Sequence, residues 1–439
     1  MTEIIEIIRN PITISVLVMC VLCLLKLNVI LSLLVASIVA GLIAGLGVSD
    51  IIGGIINGFG TNGTNALAYL LLGAFAAALA DTGLADILTH HISRQIKGRK
   101  WVLLLILLIC ACLSGTVIPI HIAFIPILVP PMLAIMNKMK MDRRQAACVL
   151  ECGLVAMYPT IPIGYGIIFQ GIIADNMTKY GMPIELMQVW HYTLILGVAF
   201  AVGLAASWWF YRKPREYKDA EVTVFQAKKS EDTRLKKDHV VSLIAIAGTL
   251  FGQLYWDSMP LGAMIGMAVM IIGGAVKLRD TDSTVAKGIG IMGTIAFVML
   301  VAGGYANVIN ETGAVDSLIE ATLAILGDNR TIFMIVLILI GLLVTMGIGS
   351  SFGTVPVLAV IYVPLCMKMG ISVGATCCLI ACAACLGDAG SPASDSTLGP
   401  TAGLNADGQH DHIWDTCVPT FLFYNIPLAV FGFIGAMIL

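Results

Sequence analysis

Between Gly387 and Thr397 the chain reads GDAGSPASDST, two acids and a run of hydroxyls set inside otherwise apolar sequence. Hard cations are ligated by carboxylate, hydroxyl and carbonyl oxygen. Asp388, Ser391 and Asp395 are therefore the expected Na+ ligands, with Ser394 and Thr397 adding neutral oxygens. A carboxyl withdrawn from water can also carry a proton, so Na+ and H+ would compete for one site. The competing reading of Asp388 and Asp395 is helix capping in an ordinary loop.

A third acid, Glu151, stands in the otherwise uncharged run 145 to 174. An intramembrane acid is expected to couple an ion or join an ion pair, and the alternative is a residue snorkelling from a helix end. His121 could titrate near neutrality or simply pack. His410, Asp411, His412 and Asp415 have the residue types of a metal site, but their spacing in a polar stretch reads better as a solvated or lid loop.

These groups need elements to hold them at depth. Of 439 residues 58% are hydrophobic and 12% charged, against about 25% charged in a soluble domain. Uncharged runs recur along the chain, each of about 20 residues and able to cross roughly 30 Å of hydrocarbon as a helix. Long apolar stretches such as Trp101 to Asn137 and Thr331 to Met367 lack the alternation of a β-barrel. The expected fold is an all-α polytopic membrane protein. The first apolar run has neither a basic region before it nor a cleavage site after it, so it reads as a spanning helix rather than a removable signal. No basic or acidic tail points to nucleic acid, and the cysteines, mostly inside apolar runs, read as small packing residues.

Sliding the chain by 230 positions lays Thr82-Gly83 on Thr312-Gly313, Pro126 on Pro356, Lys138-Met139 on Lys368-Met369, Cys148 on Cys378 and Pro162 on Pro392. This divides the chain into a first repeat (1–211), a basic linker (212–238) and a second repeat (239–439). Lys and Arg in short loops mark the cytoplasmic side. The loops 94–100, 138–144 and 212–238 should face the cytoplasm, and the equivalents of the first two, around 327–330 and 368, should face outward with the N-terminus. An odd number of crossings separates equivalent points, so the repeats are expected to be inverted.

Each half is interrupted twice by Gly, Pro and hydroxyl residues far from charged loops. Such interruptions survive in hydrocarbon only where they line a cavity or are covered by protein, which makes them pointers to a binding site. The first pair, at Ser114-Gly115-Thr116 with Pro119 and at 347–354 (Ser350, Ser351, Thr354), reads as two hairpin tips. Re-entrant hairpins and full helix pairs both fit, and re-entrant is preferred. The second pair, at 158–164 (Tyr158, Pro159, Thr160, Pro162) and 387–397, reads as broken helices. Proline there removes a donor and leaves carbonyls for a cation and helix N-termini for an anion.

The motif Gly387-Asp388-x-x-Ser391-Pro392-x-Ser394-Asp395-x-Thr397 resembles the GDxxSPxSDxT signature of NhaC-type sodium/proton antiporters, within the ion transporter superfamily. The resemblance implies a scaffold part, a mobile transport part, a homodimer, and an ion or substrate role for Asp388, Ser391, Ser394, Asp395 and Thr397. The stretch Leu404 to Asp415 is similar to a branch whose members include proposed permeases for histidine or related solutes. The function expected is thus ion-coupled secondary transport in a prokaryotic inner membrane, Na+/H+ antiport first and amino-acid or carboxylate permeation second. Partners would be lipid, small ions and, in the second case, an amino acid. No resident cofactor is expected, because Na+ and H+ are cargo. No Walker loop, HExxH or nucleophile elbow suggests an enzyme, and broken helices around an enclosed acidic site favour a carrier over a channel.

Overall fold

Apolar helices started by short polar caps account for the described chain. Asn10, Asn28, Asp142, Ser258, Asn329 and Ser372 each accept a backbone N–H from the turn they open. The computed structural model describes residues 2–25, 27–84, 99–114, 116, 125–218, 236–256, 258–314, 317 and 329–439, which contain helices and no strand. In chain order the helices are α1 (Thr2–Arg9), α2 (Pro11–Leu24), α3 (Val29–Ile43), α4 (Val48–Gly58), α5 (Gly63–Thr82), α6 (Lys100–Ser114) and α7 (Ile125–Lys138). There follow α8 (Arg143–Val155), the single turn α9 (Met157–Thr160), α10 (Tyr165–Lys179), α11 (Leu186–Phe210), α12 (Lys237–Trp256), α13 (Met259–Ile272) and α14 (Thr281–Glu311). The chain ends with α15 (Arg330–Ile348), α16 (Ser351–Lys368), α17 (Val373–Cys385), α18 (Asp395–Leu404) and α19 (His412–Ile438), the last containing π-helical stretches at His412–Cys417 and Phe421–Asn425. Leu186–Phe210, Arg330–Ile348, Val373–Leu404 and His412–Ile438 are long and apolar enough to cross a bilayer, and the pair Arg143–Thr160 with Tyr165–Lys179, bent by 48°, has the length and composition of a broken span or a re-entrant loop.

The shift of 230 pairs structural detail as well as letters. The bounds of α8 and α17 are offset by that amount, as are their caps, Asp142 and Ser372. The preceding turns hold Lys140 at φ 48° and Gly370 at φ 63°, a left-handed conformation that glycine adopts freely and lysine does not. Lys140 is held there by its surroundings: its carbonyl accepts from Lys100 Nζ at 3.2 Å, as that of Gly370 accepts from Arg330 Nη2 at 3.2 Å.

Contacts sort the loops into two ends. At one end Lys140 meets Glu216 at 2.6 Å and Arg143 meets Asp407, so 99–100, 138–144, 212–218 and 404–411 lie together. At the other end of α11, Gly181 packs against Met367, Tyr192 against Gly374, and Ser372 Oγ donates to Leu439 O. The loops 94–98 and 219–235, and residues 327 and 328, lie outside the described residues, as do His121, Gly115 and Pro119 of the first hairpin tip.

Helix α14 packs along α3, α4 and α5, while α5 also packs on α13, so helices from both halves interleave into one body. In the other body α18 packs on α7 and α10 on α16. These two contacts are equivalents under the same shift, and each carries a broken helix of one half across a hairpin arm of the other.

Candidate functional site

Both breaks form where the sequence places them. In the first, α8 and α9 run to Thr160, and Tyr165–Lys179 leaves at 48°. In the second, α17 ends at Cys385, one 3-10 turn covers Asp388–Gly390, and α18 starts at Asp395 under a cap from Ser394. Each hairpin tip rests on the break of its own half: the Thr116 carbonyl lies against Gly164, and Gly349 lies against Ala393.

The halves then meet. Tyr158 Oη donates to Asp388 Oδ2 at 2.9 Å, and Ser351 Oγ, 2.7 Å from the same phenol, donates to that oxygen too. Asp388 Oδ1 accepts from Ser394 Oγ, and Ser396 Oγ lies 3.4 Å from it. One carboxyl, 4% exposed, therefore collects hydroxyls from the first break, the second hairpin tip and the second break. Tyr158 and Asp388 are themselves a pair under the shift of 230.

Asp395, at the first turn of α18, accepts from Tyr69 Oη at 3.0 Å. Tyr69 sits on α5, in the interleaved body, so this bond joins the two bodies. Glu151 is 0% exposed, which rules out snorkelling; its Oε1 accepts from Ser396 Oγ at 2.8 Å, and it forms no ion pair among the described residues.

Other residues singled out by sequence serve the backbone. Ser391 Oγ donates to Met346 O at 3.2 Å, and Thr397 Oγ1 to Ser391 O at 2.6 Å. Ser391 Oγ is thus turned to a carbonyl, and the hydroxyls bonded to Asp388 are those of Ser394, Ser351 and Tyr158. Ser114, Thr116 and Thr160 bond carbonyls of their own helical turns. Ser350 caps α16, and Thr354 Oγ1 donates to its carbonyl.

The free carbonyls expected at the breaks are largely taken. Gln170 Nε2 reaches Tyr158 O and Pro159 O at 3.2 and 3.3 Å, Thr193 Oγ1 also donates to Pro159 O, and His412 Nε2 to Pro392 O at 2.9 Å. Cation chemistry thus rests on carboxyls and hydroxyls. The loop read as solvated or lid-like is mixed: Asn405, Gly408, Asp411 and Trp414 are exposed, while His410 and Asp415 are buried. His410 is 2% exposed and bonded to Thr416 at 2.7 Å; burial drives its imidazole down to about 3, leaving it neutral. The metal-like quartet forms no metal cluster among the described residues. Beneath it Arg143, 0% exposed, makes a two-pronged ion pair with Asp407 (2.6 and 2.5 Å). Burial alone would raise the Asp407 carboxyl, but the Arg143 bonds and charge outweigh it and hold it below the usual carboxylate range.

An apolar cavity of ≈ 360 Å³ lies between α2, α15 and α19, lined by Val16, Leu342, Met346 and Phe421 and touching the second break at Gly390 and Pro392.

Comparison with known proteins adds a family. The Na+/H+ antiporter family matches residues 150–433, and a further Na+-H+ antiporter family matches 10–96. The chain is 45% identical to the putative amino acid transporter YuiF of Bacillus subtilis, over 98% of this chain and 100% of that one. It is 44% identical to the uncharacterized membrane protein VP2115 of Vibrio parahaemolyticus, again over 98% and 100%. Among solved structures, MtrF of Neisseria gonorrhoeae, described among antimetabolite efflux pumps, aligns at a TM-score of 0.43 with 14% identity, covering 88% of this chain and 84% of that one. The YdaH transporter of Alcanivorax borkumensis aligns at 0.44 with 11% identity, covering 89% and 88%.

Proposed function

The chain belongs to the Na+/H+ antiporter family and is a membrane-embedded secondary transporter; on that premise we propose that it exchanges Na+ for H+ at the crossing of its two broken helices. The observation that carries this reading is the Tyr158–Asp388 contact, which puts a buried acid of one half under the hydroxyls of both. Na+ at Asp388 and Asp395 would take the ligand positions now filled by hydroxyl hydrogens, and a proton would take the place of Na+ on the return. Alternation between the two sides would move the broken helices against the interleaved body, across the Tyr69–Asp395 bond.

The architecture proposed with it is the inverted repeat, 1–211 and 239–439, joined by the linker. Its support is that the equivalent turns 138–143 and 368–373 lie at opposite ends of α11. Re-entrant hairpins are supported by depth. The tip at Gly349 meets Ala393 one short helix beyond the loop at 369–372, and thirteen residues of α17 rise about 20 Å, short of roughly 30 Å of hydrocarbon. We assign the basic end (138–144, 212–218) to the cytoplasm, which puts the N-terminus outside, in an inner membrane. A homodimer is part of the proposal.

A second reading, ion-coupled uptake of an amino acid, is favoured by the name of the Bacillus relative and by the apolar cavity, which touches the break and has room for an uncharged side chain. Proteoliposomes with a trapped pH dye separate the two. Proton efflux on adding Na+ alone is expected, and Asp388→Asn and Asp395→Asn should each abolish it in folded protein. Silence with Na+ alone, followed by uptake only when an amino acid such as histidine is present, would replace antiport with permeation. Wild-type rates in both variants would remove the site.

A further inference from the structure

Glu151 is the deepest acid of the site by exposure, and its surroundings are unlike those of Asp388. Asp388 accepts from at least three hydroxyls, whereas Glu151 Oε1 accepts from one and Glu151 Oε2 has no hydrogen-bond partner among the described residues. A buried carboxylate with no counter-charge is costly, and one that persists takes up a proton or a ligand.

The one hydroxyl it has leads somewhere. Ser396 Oγ lies 2.8 Å from Glu151 Oε1 and 2.9 Å from Ser394 Oγ, and Ser394 Oγ donates to Asp388 Oδ1. Two serine hydroxyls thus join two acids that sequence places far apart, on α8 and in the second break. Among the described residues the titratable groups around Glu151 are Cys148 and Cys152 on its own helix, Asp388 and Asp395 across the break, and Cys417 and Tyr424 from α19. None of these is a cation.

Resting on the Na+/H+ reading, we infer that Glu151 is a separate proton site, which exchanges its proton with Asp388 through Ser396 and Ser394 so that Na+ and H+ are held by different carboxyls. The step balances: a proton leaves the Glu151 carboxyl for Ser396 Oγ, the hydrogen of Ser396 passes to Ser394 Oγ, and that of Ser394 to Asp388 Oδ1. Each hydroxyl ends with one hydrogen pointing the other way. Na+ arriving at Asp388 drives the transfer in reverse and parks the proton on Glu151, which gives it up to water as the carboxylate when the site opens to one side.

The test uses the full-length protein, purified in weakly buffered detergent with a pH dye and in proteoliposomes. Glu151→Gln is expected to lower Na+-triggered proton release about 100-fold, the scale of a lost proton-transfer group, and to flatten the pH profile of whatever Na+ movement persists. Ser396→Ala should slow release about tenfold, the scale of one lost buried hydrogen bond to a charged group, and Ser396→Thr, which keeps the hydroxyl, should recover it. Wild-type proton release with Glu151→Gln matching it in rate and pH profile would overturn this inference and leave antiport standing. Ser396→Thr behaving like Ser396→Ala would remove the relay. Wild-type protein that releases no protons to Na+ would sink the antiport reading itself, and the proton site with it. Should Glu151→Gln fail to fold, the two Ser396 variants decide.

Discussion

The break at 157–164 and the break around 386–394 occupy equivalent places in the two halves and differ in what fills them. In the first, the carbonyls that proline frees are covered by Gln170 and Thr193, and Tyr158 is the one side chain sent to the site. In the second, the covering is done partly from outside, by His412 on Pro392 O, and the break supplies Asp388, Ser394, Ser396 and Asp395. The difference is legible at the point where they touch. Tyr158 faces its own equivalent, Asp388, at 2.9 Å; two aspartates there would repel at close range and one would lose its charge. A phenol is neutral, donates to the acid and cannot compete with it for a cation's charge. One half thus keeps the backbone device and the other carries the ionisable chemistry, with Glu151 opposed by Ala381 as a further case.

The comparison breaks most sharply at that pair. Tyr158→Phe removes a hydrogen bond to a charged group, on the order of 1.5–3 kcal/mol, so Na+-driven proton release should fall about 10- to 100-fold with the protein still monodisperse. An unchanged rate would make the first break a purely structural element. A smaller effect is expected at Tyr69→Phe, which spares Asp388 and cuts the bond from α5 to Asp395. Exchange should slow about three- to tenfold, on the scale of roughly 1 kcal/mol for one hydrogen bond, and crosslinking between α5 and α18 should become less efficient if the bond holds the two bodies in register. A rate loss without that change would restrict Tyr69 to ligand positioning.

Which parts could be read from sequence follows from distance along the chain. The breaks and the tip at 347–354 were legible because Pro and Gly in a charge-free run have few uses in a membrane. Their crossing was not, since nothing local ties Tyr158 to Asp388 or Ser351. Tyr69 stands in an apolar helix with no charge beside it, and its only signal is that a buried phenol needs a partner. Gln170 gave a similar weak signal, an amide set in the apolar first half of its helix. Arg143 misled in the opposite direction: counted with a basic loop, it is fully buried against Asp407, in the same stretch as the buried His410. Charge composition told which end the loop is at and could not tell which of its residues are buried.

The subtlest form of the comparison lies away from the site, where α6 crosses α8 and α15 crosses α17. At the first crossing Ala111 faces Gly153, and at the second Gly341 faces Ala383. These are equivalent positions with the small and the larger residue exchanged. A Cβ on Gly153 would collide with the methyl of Ala111, and one on Gly341 with that of Ala383, so each crossing tolerates one methyl and not two. Gly153→Ala should therefore destabilise the protein by about 1–3 kcal/mol through overpacking, seen as a lower unfolding temperature in detergent. Adding Ala111→Gly moves the methyl to the partner that lacks it, which is the arrangement the second half already uses, and should recover most of the loss as a favourable coupling between touching residues. If the double variant is as unstable as the sum of the single changes, the two crossings are not the same packing solution, and the repeat would hold for the chain's boundaries without holding for its core.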